Sequence, residues 1–149
     1  MPEYGLMHFE NTITIRRPVG EVFGFVADFK NIPTWNYAIV QTEQSPGPTR
    51  VGTTILQRRS IPNPGEETLE VTDFVPERRI ELRGALGPFD GTMRYDFEPT
   101  KDGTRLRNVA DLQGRGLLGI AAPIATGRVR EAVAANLNVL KQILESRAE

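Results

Sequence analysis

"HFENTITIRRPVGEVFGFVADFKNIPTWN", residues 8–36, is the stretch whose reading decides the fold, because its apolar spacing switches partway along from that of a strand to that of a helix. In residues 8–16, Phe9, Asn11, Ile13 and Ile15 fall on one face, and His8, Glu10, Thr12, Thr14 and Arg16 on the other. That alternation is the pattern of a half-buried strand. From Pro18 onward Val19, Val22, Phe23 and Val26 recur at i, i+3, i+4 and i+7, and proline suits a first helical turn. Asp28 reads as the stop of this helix and the cap of a second, short one. Pro33 falls early in that second helix and Trp35, the only tryptophan, at its end.

Beyond this corner the pattern is extended. Residues 37–43, 51–60, 67–75, 79–86, 91–98 and 104–113 read as strands, separated by "SPGPTRVG", "PNPG", "VPER", "LGPFDG" and "PTKDG". Gly- and Pro-rich punctuation between short alternations predicts consecutive antiparallel hairpins. Arg79, Glu81 and Arg83, then Arg94, Asp96 and Glu98, then Arg105, Arg107 and Asp111 share faces of successive strands, predicting a solvated ladder of mixed charge. From about 117 to 146 the spacing is helical, with Val129, Val133, Leu137, Leu140 and Leu144 on one stripe. "GRGLLG" (114–119) matches neither a dinucleotide nor a Walker spacing and reads as flexible backbone ahead of that helix. The fold class is therefore α+β: a curved seven-stranded antiparallel sheet around a long C-terminal helix, with two short helices after the first strand.

Composition narrows the function classes. A chain of 149 residues fits one domain, 1–149, and is long enough to bury a core without staples. There is no cysteine, which removes disulfides, thiolate chemistry and Cys-based metal sites. Charge is balanced at 18 basic and 19 acidic residues, interspersed, so no basic face for nucleic acid is expected. "GLLGIAAPIATG" (116–127) is too short to span a bilayer, and "MPEYGLMHFE" has neither the basic start nor the apolar region of a secretory signal. The expectation is a cytoplasmic protein, monomer or homodimer, without metal, nucleotide or redox cofactor.

His8 is the only histidine, but its alternation places it on the outward face with Glu10 and Thr12, away from any pocket. A Ser-His-Asp or Cys-His centre has nothing else to build on, and the carboxylates read as outward-facing, which argues against a metal site. The informative residues are polar ones on faces that should be apolar. Asn11 falls with Phe9 and Ile13, Asn108 with Leu106 and Ala110, and Tyr95 with Met93 and Phe97. If Val51 and Ile55 face inward, so do Gln57 and Arg59, while Asn136 borders the helix stripe. An inward polar group needs a partner, water or ligand, since leaving it unsatisfied costs roughly 1–3 kcal/mol. Singly, each is ordinarily bonded to backbone or reaches the rim; together on one concave face they point to an apolar pocket with polar tips.

"TIRRPVGEVFGFVADFKNIPTWN", "GPTRVGTT", "EVTDFVPERRIEL", "YDFEPTKDGTRLR" and "GLLGIAAPIATGRVREAVAANLNVLKQILE", in this order and spacing, resemble the START-like, helix-grip (SRPBCC) superfamily, and within it the polyketide cyclase/dehydrase-like proteins. The resemblance runs over nearly the whole chain. It implies a cavity between sheet and C-terminal helix that takes a small hydrophobic molecule, aromatic or polyketide-like among the candidates. Asn11, Trp35, Arg59, Met93, Tyr95, Asn108, Val133, Asn136 and Leu137 are the residues expected to line it. Trp35 is open to a second role, as the packing wedge of its corner. Large side chains such as Phe23, Phe25, Phe89 and Phe97 would favour a third reading, a partner-binding protein with a filled cavity. Some members of the superfamily bind passively and others catalyse cyclisation or dehydration. In the enzymatic version Tyr95 or Arg59 would polarise a carbonyl, Asn108 would orient it, and a bound water would carry protons.

Overall fold

Strand β1 (Leu6–Ile15) leads into helix α1 (Val19–Ala27), a three-ten turn (Phe29–Asn31) and the single-turn helix α2 (Ile32–Trp35). Six strands follow: β2 (Ile39–Gln44), β3 (Thr54–Arg59), β4 (Gly65–Val75), β5 (Arg79–Leu86), β6 (Phe89–Thr100) and β7 (Gly103–Gly114). Helix α3 (Ala122–Glu145) comes last. This is a computed structural model, and it describes residues 6–114 and 122–147. The seven strands form one antiparallel sheet in the order β1-β7-β6-β5-β4-β3-β2, the α+β helix-grip architecture expected from the sequence. Residues 117–121 of the expected helix, and most of "GRGLLG", lie outside the described residues.

The corner forms for local reasons. Helix α1 buries Val22, Phe23, Phe25, Val26 and Ala27, the face its spacing marks as apolar. Asp28 ends it in extended backbone, but its side chain caps nothing: the carboxylate sits 3.5 Å from Lys30 Nζ instead. Its carbonyl carries the turn, accepting the Asn31 N–H at 2.9 Å. Pro33 fits the first turn of α2, where its missing N–H has no helical partner to lose. Trp35 closes α2 and is buried.

The inner face of the sheet is read most simply along the rows of its register. Phe9, Ala110, Met93, Leu82 and Val71 lie opposite one another in turn across β1, β7, β6, β5 and β4. The next row runs Asn11, Asn108, Tyr95, Ile80 and Phe74. The outer face carries the charge ladder: Arg79 Nε donates to Asp96 at 2.8 Å, Arg94 Nε to Asp96 at 2.9 Å, and Arg107 Nη2 to Glu10 at 2.7 Å.

Two departures from the expected strands have physical causes. Strand β3 begins at Thr54, because Val51 and Gly52 form a turn with Gly52 at φ +96°, so Val51 is exposed. Ile55 and Gln57 still face inward, as the alternation requires. In "LGPFDG" only Gly87 and Pro88 form the turn: β6 begins at Phe89, two residues before the expected Gly91, which lies opposite Gly84 of β5. A Cβ on Gly84 would lie 2.4 Å from the Thr68 carbonyl oxygen, and one on Gly91 2.0 Å from that of Asp111. The paired glycines let backbone approach backbone where the sheet curls.

Helix α3 packs along β1 and against α2. Leu137, Leu140 and Leu144 are fully buried, while Val129 and Val133, nearer its start, are half-buried. Its side chains also cover the outer edge of β1. Lys141 Nζ donates to the Thr14 carbonyl at 2.5 Å, Arg130 Nε donates to that of Glu10 at 3.2 Å, and Glu145 accepts the Arg16 N–H at 2.8 Å. Arg17 in turn donates to the Leu144 carbonyl at 2.8 Å, a cation placed at the negative end of the helix dipole.

Candidate functional site

A small internal cavity of about 50 Å³ lies between α1–α2 and the inner face of β3–β6. Helix α1 contributes Val26, the three-ten turn Phe29, and α2 Ile32 and Trp35; opposite them stand Leu69, Ile80, Leu82, Met93 and Tyr95. Trp35 meets Tyr95 edge to face, with ring centroids 6.3 Å apart and planes at 87°. Burial pushes the Tyr95 phenol far above its ordinary value, so it stays protonated at any working pH. Phe23, between Phe74 at 5.4 Å and Phe97 at 5.1 Å, packs the neighbouring core solid.

Polar groups border this apolar space. Asn108, with no exposed surface, donates from Nδ2 to the Met93 sulfur at 2.8 Å. Its Oδ1 and the Trp35 indole nitrogen are buried without a hydrogen-bond partner among the described residues. Such orphans are few in native folds. Trp35 lines the cavity, Asn108 reaches it only through Met93, and a third orphan, Thr100 Oγ1, lies away from it at the end of β6.

At the β3 end the cavity is closed by a charged pair. Arg59 Nε and Nη2 donate to Glu67 Oε1 and Oε2, both at 2.9 Å, the parallel two-bond geometry that guanidinium and carboxylate favour. Glu67 also accepts Gln57 Nε2 at 2.5 Å and the Gly87 N–H at 3.0 Å. The two side chains are only 14% and 7% exposed, so this is a largely buried ion pair that borders the outer surface. Burial pushes the Glu67 carboxyl up, but the bonds from Arg59, Gln57 and Gly87 outweigh it and hold the group below the usual carboxylate range. Arg59 faces two ways: it lines the cavity and also an outer groove of about 280 Å³ formed with Pro62, Pro64 and Pro88.

Of the residues expected at the site, the structure gathers Trp35, Arg59, Met93 and Tyr95 around the cavity, with Asn108 touching Met93. The others stand elsewhere. Asn11 donates to the Arg130 carbonyl at 3.3 Å, Asn136 accepts the Tyr37 N–H at 3.4 Å, Leu137 is buried and Val133 half-buried. Glu67 is a correction to the outward reading of the carboxylates. It alternates with Leu69 and Val71 on the inner face, and stands opposite Gln57 in the β3–β4 register. That alternation, together with an inward Arg59 in need of a counter-charge, was the signal for it.

Other candidates are weaker. A wider concavity, about 880 Å³, is an open groove beside the β4–β5 turn. Three of its arginines are already paired: Arg79 with Asp73 and Asp96, Arg105 with Glu98, Arg107 with Glu10. His8 lies on the outer face at 2.7 Å from Asp111 and 3.2 Å from Glu10, and these acceptors raise its pKa. Among the described residues no cluster of three or more His, Asp or Glu could hold a metal, and no helix is long and apolar enough to cross a membrane.

Comparison with known proteins agrees with this architecture. A family model described as polyketide cyclase / dehydrase and lipid transport matches residues 7–145. No curated protein sequence matches the chain significantly. Among solved structures, the Zhui aromatase/cyclase from Streptomyces sp. R1128 superposes with a TM-score of 0.80 at 17% identity, over 97% of this chain and 96% of that one. A START superfamily protein from Mycobacterium smegmatis gives 0.78 at 15%, over 93% and 97%. The di-domain ARO/CYC StfQ from the steffimycin biosynthetic pathway gives 0.75 at 12% identity, over 92% of this chain. The present chain spans 50% of StfQ. At these identities the likeness speaks for the fold.

Proposed function

The chain belongs to the polyketide cyclase / dehydrase and lipid transport family, and from that premise we propose that it binds a small, largely apolar molecule, aromatic or polyketide-like, in the cavity beneath Trp35. The observation that carries this reading is an orphaned polar atom on a residue of the cavity lining, Trp35 Nε1, with a second, Asn108 Oδ1, on the residue bonded to the lining residue Met93. Each such group costs roughly 1–3 kcal/mol while nothing answers it. A ligand with one donor and one acceptor would recover that cost.

The cavity at about 50 Å³ is far below the ~300–1,000 Å³ of ordinary ligand pockets, so binding requires a wall to move. Helix α2 is that wall. It has four residues, too few to be stable on its own, and is held by Trp35 and Ile32. An outward shift of α2 opens the space between the helices and the sheet, with the indole N–H kept at the edge of the widened cavity to meet the ligand.

As the only tryptophan, Trp35 reports on its own site. Titration with a panel of apolar aromatic ligands is expected to change its emission saturably. At 100 times its dissociation constant, the responding ligand should stabilise the protein by about 2.7 kcal/mol. A panel that raises the melting temperature of no sample and leaves the emission unchanged would refute the reading.

A cyclase or dehydratase acting in the same cavity is the second reading, favoured by Tyr95. A phenol kept neutral by burial is a hydrogen-bond donor suited to a carbonyl oxygen that gains charge. Arg59 is less suited, since Glu67 engages its Nε and Nη2. Recovering the bound ligand after incubation and analysing it by chromatography and mass spectrometry separates the two: a ligand unchanged in retention and mass means a carrier, the same mass at a new retention an aldol cyclisation, and loss of water a dehydration.

A further inference from the structure

Among the described residues lining the cavity, Arg59 is the only charged one. An unpaired guanidinium at the edge of an apolar space is a ready receptor for a ligand carboxylate, because its fork matches two oxygens at once. Here the fork is occupied. Nε and Nη2 both end on Glu67, and Nη1 donates to the Ile61 carbonyl at 3.2 Å.

We propose that Glu67 sets the charge selectivity of the cavity: by holding Arg59 in a closed pair it leaves the cavity electrically neutral, so that uncharged apolar ligands are taken and their carboxylate counterparts rejected. The proposal rests on the ligand-binding reading above. A ligand carboxylate reaching Arg59 would have to displace Glu67, stranding a second buried anion with only Gln57 and the Gly87 N–H for partners. Binding beside the intact pair instead would add an unmatched negative charge to a site that has none to spare. A neutral ligand incurs neither cost. Glu67 is the residue through which this choice is made, because replacing it by glutamine keeps the shape and the acceptor oxygen while leaving Arg59 with an uncompensated positive charge.

The test is calorimetric titration at pH 7.5 with 2-naphthol and 2-naphthoate, which share a ring system and differ in charge. The wild-type protein is expected to bind the naphthol at least ~10-fold more tightly. In Glu67→Gln the ratio should shift by about 10-fold or more toward the naphthoate. The double variant Arg59→Met/Glu67→Gln, with neither charge, should return to preferring the naphthol. Equal affinities in the wild type, or a folded Glu67→Gln with the wild-type ratio, would overturn the proposal while leaving ligand binding intact. Binding of neither probe would overturn the ligand-binding reading and this proposal with it. Circular dichroism checks that each variant is folded; should Glu67→Gln not fold, Glu67→Ala, which also leaves Arg59 unpaired, is read in its place against the same expected shift.

Discussion

Arg59→Ala is expected to destabilise the protein by about 3–5 kcal/mol, read as a lowered midpoint in urea unfolding. The loss comes less from the missing bonds than from what remains: Glu67, 7% exposed, keeps a charge with only Gln57 and the Gly87 N–H to answer it. Replacing both partners by apolar residues, Arg59→Met with Glu67→Leu, should cost far less than Arg59→Ala, since no charge is then desolvated. The contrast also has a pH signature. Glu67 titrates lower in the folded protein than its unfolded value of about 4.3, so its contribution is present above that pH and is lost as pH falls through the folded pKa. The double variant lacks this acid-side loss, so its stability relative to wild type should rise as the solution is acidified below about pH 4. A double variant as unstable as Arg59→Ala would show that the site is sensitive to packing rather than to charge.

Gly91→Ala is expected to cost about 3 kcal/mol or more, or to yield no folded protein. Its added methyl would meet the Asp111 carbonyl oxygen at 2.0 Å, Leu112 Cα at 2.9 Å and the Asp111 carbonyl carbon at 3.0 Å. All three are backbone atoms of β7, so no side chain can swing aside, and relief requires parting the β6–β7 ladder. Gly24→Ala supplies the control. Gly24 is an exposed helical position with nothing within 4 Å of a new Cβ, and the same change there should stabilise by about 0.5–1 kcal/mol. Thermal unfolding of the two variants should therefore move in opposite directions; a Gly91→Ala protein that melts with the wild type would refute the steric account.

Much of this fold was legible because the signals are local. Alternation in 8–16 and the i, i+3, i+4 spacing of Val19 to Val26 need only the neighbouring residues, and both are found where they were expected. Gly84 and Gly91 escaped because their reason lies across the sheet. The alternation puts both in strands, but only the register that sets Gly91 against Gly84 and β7 shows why neither can carry a side chain. The candidate site divides in the same way. Trp35, Arg59, Met93 and Tyr95 could be placed from alternation and the corner. The partner of Arg59 could not be assigned until the β3–β4 register set Gln57 against Glu67. Asn11 and Asn136 were inward by pattern, yet each is answered by backbone of another element.

Every strand pairing but one joins neighbours in the chain, and the exception reaches almost from end to end, with Leu6 opposite Gln113 and Ile15 opposite Thr104. During synthesis, β1 therefore leaves the ribosome roughly a hundred residues before its partner, a wait on the order of 5–20 s at ordinary rates of translation. Through that interval Phe9, Ile13 and Ile15 have no sheet to lie on, while β2 to β6 can pair hairpin by hairpin as they appear. Only β7, and then the side chains of α3 along the outer edge, bring the first strand to rest. The oldest part of the chain is thus the last to find its place.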